Sequence, residues 1–172
     1  MHSGLIRYAL YCCPNRFAQQ GESQLDNIYG STGFLIHPAT RKVLLHHRDR
    51  SALVYPDLWS FFGGSSEKQD AGDPVTTWLR ELREELGIVL KVEQVIPFGE
   101  GEFANGKRRY VFYCEWPTLS EDFILGEGQG FAWFDLDDAL QLPTLTPIVR
   151  ADLLMLRERL ASLGNAQGLS SG

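Results

Sequence analysis

The chain has 172 residues, a formal net charge of −6 and 44% hydrophobic residues. This length suits one sizeable core and is short for two domains. The negative charge argues against a nucleic-acid polymer as partner, because proteins that bind such polymers are usually basic. No apolar run approaches the roughly 18–20 residues that a membrane span needs, which argues against a membrane-embedded chain.

The first 28 residues are expected to form an N-terminal extension, in which residues 1–13 favour an extra strand and residues 14–28 a polar loop. The first residues lack a small-residue cleavage site, so they are not interpreted as a signal peptide. Cys12 and Cys13 are adjacent, and no CxxC spacing is present. This cysteine usage predicts reduced thiols in a cytoplasmic protein, with Cys114 as a core thiol.

The pattern of apolar and turn residues predicts a strand-rich body with interleaved helices. Two strands at 31–37 and 42–48 surround a turn at 38–40, and a short buried strand at 59–62 enters the pair Gly63-Gly64 after a connection at 49–56. A helix follows at 74–86. The later elements are strands near 89–103 and 107–116 around a turn at 104–106, a strand at 131–134, a helix at 135–140 capped by Asp135, an amphipathic helix at 146–163 and a disordered tail at 164–172.

The helix at 74–86 carries the most informative pattern in the chain. Pro74 suits its first turn, Asp73 is the expected N-cap, and Gly87 ends it. At about 3.6 residues per turn the apolar residues share one stripe and the acidic residues fall within about 100° of arc. The apolar stripe is Val75, Leu79, Leu82 and Leu86, and the acidic residues are Glu81, Glu84 and Glu85.

This acidic cluster admits two interpretations. A glutamate-rich helix face is usually only a solvated face. However, like charges at three- and four-residue spacing cost a few tenths of a kcal/mol per pair, and Arg80 is the only local compensation on the helix. A hard divalent cation would remove the repulsion, and oxygen-only ligands favour Mg²⁺ or Mn²⁺. The four histidines give no comparable site, because the neighbours His46 and His47 point to opposite faces of a strand.

The whole arrangement resembles the Nudix signature, in which a glycine, a glutamate and the block Arg-Glu-apolar-x-Glu-Glu-x-Gly-apolar form a loop–helix–loop. Residues 80–88, RELREELGI, match that block at every fixed position. Counted back from Arg80, the glycine and first glutamate of the signature would fall on Ser66 and Gly72. The loop is therefore expected to be about two residues longer, with Asp73 or Glu67 in the acidic role.

A second segment, Gly126-Glu127-Gly128-Gln129 followed by Trp133-Phe134, resembles the loop that presents an additional glutamate in mutator-type Nudix hydrolases. Taken alone, Glu127 between glycines is an ordinary turn residue. Beside the helix glutamates it becomes a candidate further metal ligand or general base. Glycine on either side lets this carboxylate approach a charged substrate closely.

The resemblance implies the Nudix fold, an α/β/α sandwich with a mixed sheet, over a domain at 29–163. It implies metal-dependent hydrolysis of a diphosphate linkage in a nucleoside diphosphate derivative, with a nucleoside triphosphate or a nucleotide sugar as the expected substrate. Metal ligands would be Glu81, Glu84, Glu85 and the Gly63 carbonyl. The catalytic residues would be Glu84, Glu127 and Arg80: Glu127 or a helix glutamate would deprotonate the water, and Arg80 would hold a carboxylate in place.

Substrate identity is less constrained. Leu145 stands where members that read oxidised guanine carry Asn, and a leucine cannot pair with a purine edge. Trp59, Phe103 and Tyr110 are candidates to stack on a base, although aromatic residues are more often core or rim. Two alternatives on the same fold are a catalytically silent nucleotide-binding regulatory domain and an isomerase of isoprenoid diphosphates. A homodimer is left open.

Overall fold

A computed structural model describes residues 29–103 and 105–168, with side chains up to residue 163. The predicted N-terminal extension lies outside the described residues. Within these described residues, seven strands form one sheet and three α-helices accompany it. The elements are β1 Gly30–Ile36, β2 Val43–His47, β3 Trp59–Ser60, β4 Phe62–Ser65, α1 Pro74–Leu86, β5 Ile96–Glu102, β6 Arg108–Glu115, β7 Gly130–Phe134, α2 Leu136–Gln141 and α3 Pro147–Gly168.

The sheet is mixed, as predicted. Its main path runs β3-β2-β1-β6-β5, while β4 also pairs with β1 and β7 with β2. The central pair β1 and β6 is parallel, and the other pairs are antiparallel. Almost every residue of β1 is buried, which matches its position in the middle of a sheet covered on both faces.

Two apolar clusters cover the two faces of the sheet, because successive residues of a strand point in opposite directions. Leu35, Leu44 and Phe62 pack against Trp78, Leu82 and Leu86 of α1. Their neighbours in sequence, Phe34, Leu45 and Phe61, pack against Val149, Leu153 and Leu156 of α3. The predicted α/β/α sandwich is therefore confirmed, and Cys114 is a buried core thiol as expected.

Several predicted boundaries were wrong. The strand predicted near 89–103 begins only at Ile96, because a 3-10 turn at Val92–Gln94 precedes it. The strand predicted at 59–62 breaks at Phe61, where the chain changes its partner from β2 to β1, and β4 then continues through the glycine pair to Ser65. Both errors arise because a strand boundary depends on the pairing partner, which local sequence does not contain.

The C-terminal helix is longer than predicted. It continues to Gly168, so the segment 164–168 of the predicted disordered tail is helical, and only residues 169–172 lie outside the described residues. A glycine inside a helix costs only about 1 kcal/mol, and no proline interrupts this stretch. No helix among the described residues is long and apolar enough to cross a membrane.

Candidate metal and catalytic site

The helix α1 has the predicted ends. The carboxylate of Asp73 accepts hydrogen bonds from the backbone N–H groups of Val75 at 3.2 Å and Thr76 at 3.1 Å. Gly87 closes the helix in the left-handed conformation, with φ of 67°. Asp73 is thus the N-cap of α1, and its carboxylate binds the backbone of the first helical turn. The expectation that Asp73 takes the acidic role of the loop does not agree with this position.

The inner face of α1 differs from the predicted stripe. Trp78, Leu82 and Leu86 are fully buried against the sheet, whereas Val75 and Leu79 are only half-buried. Trp78 fits because Gly33 of β1 leaves space for its ring: a Cβ on Gly33 would lie 2.6 Å from the indole. In this orientation of the helix Glu85 is buried and Glu84 is exposed.

Arg80 is the centre of the polar network beside the helix. Its guanidinium donates to both carboxylate oxygens of Asp70 at 3.0 and 3.1 Å and to the Ser65 carbonyl at 3.0 Å. Its Nη1 also lies 2.9 Å from the carboxylates of Glu81 and Glu84. Hydrogen bonding to Asp70 raises the pKa of Arg80, so this cation is permanent.

Asp70 occupies the acidic loop position that the sequence interpretation missed. It is buried in the loop between β4 and α1, and it accepts from Arg80, from Thr77 and from the Glu67 N–H. Burial raises the pKa of Asp70, but these hydrogen bonds outweigh burial and the net pKa is lowered. Glu67, the other proposed loop acid, is half-exposed and 3.5 Å from Arg80.

A sequence signal for Asp70 was available. Counted forward from Gly64 instead of back from Arg80, Asp70 stands six positions on, as the glutamate of the Nudix signature does after its glycine. The additional residues therefore lie between the acid and Arg80. There the helix N-cap Asp73 follows Gly72, whose φ is +77°.

Glu85 and Glu81 lie against the glycine pair. The Gly63 N–H donates to Glu85 Oε2 at 2.8 Å, and a Cβ on Gly64 would lie 2.5 Å from Glu81 Oε1. Gly63 has φ of +135°, which glycine readily adopts. Burial first, then repulsion between the two carboxylates, raises the pKa of Glu85 well above its usual range.

The segment at Glu127 docks on the C-terminal end of α1. The Gly126 N–H donates to the Glu85 carbonyl at 2.9 Å, and a Cβ on Gly126 would lie 1.9 Å from the Glu84 carbonyl oxygen. Burial raises the pKa values of Glu81 and Glu85, and the nearby charge of Glu127 raises both further. The fold thus brings Glu127 and the helix glutamates together, although they are far apart in sequence.

His46 also lies in this site, where sequence reasoning assigned it no role. His46 and His47 do point to opposite faces: His46 stacks on Phe62 and His47 on Trp59. His46 is buried beside Glu85 and the Glu127 backbone. Burial lowers its pKa to about 4, so the ring is neutral near pH 7.

The three aromatic candidates for base stacking do not form one surface. Trp59 packs with the α3-side cluster and stacks on His47, whereas Tyr110 packs with the α1-side cluster and meets Tyr29 edge to face. The Phe103 ring lies against Gly30, where a Cβ would approach it to 2.4 Å. Their distribution over both faces of the sheet argues against a joint role. Leu145 is buried in the α3-side core.

The donor chemistry fits a hard divalent cation. Glu81, Glu84, Glu85 and Glu127 offer only oxygen atoms and more negative charge than Arg80 balances. In the part of the chain that the structure describes, no three carboxylate, imidazole or thiol side chains already form a metal-binding group. Glu81 and Glu84 instead each direct one oxygen to Arg80, which leaves their second oxygen for another partner.

Comparison with known proteins agrees with this geometry. The family model of the NUDIX domain matches residues 30–155. No curated protein sequence matches the chain significantly.

Solved structures with the same fold have distant sequences. The MutT protein from Methanosarcina mazei Go1 has 18% identity and a TM-score of 0.61, covering 77% of this chain and 94% of its own. The NUDIX domain of Shewanella oneidensis NrtR, in complex with ADP ribose, has 20% identity and a TM-score of 0.60, covering 86% and 94%. The E. coli dihydroneopterin triphosphate pyrophosphohydrolase has 20% identity and a TM-score of 0.57, covering 73% and 91%.

Proposed function

We propose, from the premise that this chain belongs to the NUDIX family and is a Nudix pyrophosphohydrolase, that it cleaves a diphosphate linkage in a nucleotide-type small molecule with the help of Mg²⁺ or Mn²⁺. The observation that carries the proposal is the docking of the Glu127 segment on the helix that bears Glu81 and Glu85, where the Gly126 N–H donates to the Glu85 carbonyl at 2.9 Å. If α1 presented only a solvated acidic face, a fourth carboxylate from a distant loop would add repulsion without any benefit.

Each residue has a distinct task in this proposal. A cation bound by Glu81, Glu84, Glu85 and the Gly63 carbonyl would neutralise the diphosphate and lower the pKa of the attacking water. Arg80 holds Glu81 and Glu84 by one oxygen each and is itself fixed by Asp70, so both carboxylates are oriented before any ligand binds. Glu127 is solvent-exposed and free to accept the proton of the water, with Glu84 as the alternative base on the helix.

A nucleoside triphosphate or a nucleotide sugar is the proposed substrate. The structural relatives with a ligand or substrate in their names concern ADP ribose and dihydroneopterin triphosphate, and both compounds contain a phosphoanhydride. The isomerase alternative is disfavoured within the described residues, because burial raises the pKa of the Cys114 thiol to about 11 and leaves it unreactive. A cytoplasmic location and a homodimer stay predictions.

The decisive experiment measures product release from a panel of nucleoside triphosphates and nucleotide sugars by chromatography. Cleavage is expected with Mg²⁺ or Mn²⁺ and is expected to stop in EDTA. Glu84→Gln and Glu85→Gln should each lower turnover by orders of magnitude while the fold is kept. Full turnover after exhaustive chelation would remove the metal from the mechanism, and nucleotide binding without any turnover would favour the silent regulatory domain.

A further inference from the structure

His46 lies at the junction of the two segments that carry the site carboxylates. It stands near the end of β2, is 1% exposed, and stacks on the Phe62 ring at 5.1 Å with an interplanar angle of 8°. Phe62 directly precedes the glycine pair that contacts Glu85 and Glu81. Packing against Phe62 therefore holds the imidazole ring in one plane, independently of the hydrogen bonds of its nitrogen atoms.

The two ring nitrogens face different carboxylate-bearing segments. Nε2 lies 3.0 Å from the main-chain carbonyl oxygen of Glu127. A carbonyl oxygen only accepts, so Nε2 carries the proton and donates it to this bond. Nδ1 then presents its lone pair 3.4 Å from Glu85 Oε1, and it is buried without a hydrogen bond among the described residues.

The Glu127 segment is pressed against the same ring. A Cβ on Gly128 would lie 1.9 Å from His46 Nε2, and the Gly128 N–H donates to Asp49 Oδ2 at 3.1 Å. Gly128 has φ of +92°, a conformation that glycine readily adopts. The loop thus follows the surface of the imidazole. Glycine is required on both sides of Glu127, because Gly126 lies too close to α1 for a side chain and Gly128 lies too close to His46.

We propose that His46 is a positioning residue, which fixes the backbone of Glu127 against α1 so that the Glu127 carboxylate stays beside Glu81 and Glu85. The inference deepens the proposed function and rests on it for the role of Glu127. Carboxylates repel one another, so a Glu127 side chain beside Glu81 and Glu85 needs a backbone that is held in place. A donor that bonded this carboxylate would compete with a cation, whereas a donor to the main-chain carbonyl leaves the carboxylate free.

The structural part of this inference is tested without activity. Gln places its amide near the Nε2 position of a histidine and Asn near the Nδ1 position, so His46→Gln keeps the donor to Glu127 and His46→Asn removes it. Amide hydrogen exchange at Gly126 and Gly128 is measured in metal-free protein. His46→Asn should speed exchange roughly tenfold, the effect of about 1.4 kcal/mol, while His46→Gln and the distant control His37→Asn stay near the native protein.

Unchanged exchange in His46→Asn overturns the proposal. If His46→Asn does not fold, Gly128→Ala makes the same test from the loop side. Its control is Gly106→Ala, because Gly106 also has a positive φ, +78°, and nothing lies within 4 Å of a Cβ there, so the control carries the backbone strain without the contact. Exchange is compared at the amides beside each substituted glycine. A larger increase beside Gly128 than beside Gly106 supports the anchor, and equal increases overturn it.

The catalytic part is tested by a double-mutant cycle on a substrate that the native protein cleaves. His46→Asn should lower kcat by roughly 10–100-fold, the typical effect of an outer partner of a metal site, with little change in KM. In a Glu127→Gln background it should add almost nothing, because both changes remove the same contribution. Additive losses overturn a role through Glu127. If the native protein cleaves nothing, the proposed function fails, while the exchange result still decides the anchor.

Discussion

Arg80 gives the acidic cluster its local charge balance, and Asp70 gives Arg80 its position. Arg80 reaches Asp70, Glu81 and Glu84 from one guanidinium. Such a planar group with five donors serves several carboxylates in a fixed geometry, which a lysine does not. The loop acid Asp70 therefore acts on the helix glutamates through Arg80, and its removal should disturb stability as well as turnover.

Asp70→Asn should destabilise the fold by about 3 kcal/mol at pH 7, because it leaves the buried guanidinium of Arg80 without its main partner. The net pKa of Asp70 is lowered in the folded state, so its contribution is present at neutral pH and is lost as the pH falls below about 4. Urea unfolding should therefore show the native protein and the variant converging in acid. Glu67→Gln is the control, since this half-exposed side chain lies only at the margin of the network.

Glu127→Gln addresses the proposed general base. The amide keeps the size of the side chain but removes the charge and the proton acceptor, so kcat should fall by about 10²–10⁴-fold. Steady-state kinetics between pH 6 and 9 should show this loss with a modest change in KM. Near-native turnover over that pH range would instead assign the role of general base to Glu84 and leave Glu127 as a turn residue.

Among the elements, the helix α1 was predictable and the loop before it was not. Asp73, Pro74 and Gly87 are local end signals, and the structure confirms both helix ends. Counting forward from Gly64 selects Asp70, whereas counting back from Arg80 selects Gly72, and a single sequence does not decide between the two counts. The role of His46 depends on a contact with a loop that lies 81 positions away. Local patterns carry no information on such a contact.

The docking of the Glu127 loop on α1 predicts a contrast between two glycines. A Cβ on Gly126 would lie 1.9 Å from the Glu84 carbonyl oxygen, whereas a Cβ on Gly130 meets nothing within 4 Å. Gly126→Ala should displace the loop and lower kcat by roughly tenfold or more, as misplacement of a catalytic group does. Gly130→Ala should be close to native in kinetics and in thermal unfolding. Equal effects of the two changes would mean that the contact with α1 does not position Glu127.

For the whole molecule, the interleaving of predicted strands and helices favoured a mixed sheet between helices, the arrangement that the Nudix resemblance implies. It did not predict that β1 and β6 are the pair that runs parallel, or that α1 and α3 cover opposite faces of one continuous sheet. Parallel neighbours come from distant parts of the chain, so only the topology reveals them. The same topology brings Arg109 of β6 to Asp152 of α3, an ion pair that no local pattern predicted.

This ion pair should hold α3 to the sheet without contributing to catalysis. Both side chains are almost fully buried, and burial raises the pKa of Asp152. Arg109→Met should cost about 3–5 kcal/mol at pH 7, because a buried carboxylate loses its partner, whereas the additional change Asp152→Leu should restore most of that stability. Lower pH should also reduce the loss of stability in Arg109→Met, because it protonates the unpaired Asp152 carboxylate. Urea unfolding at pH 5 and 7 measures these differences. Turnover should stay near native in the double variant, and a large loss of kcat in a stable double variant would connect α3 to the chemistry on the opposite face.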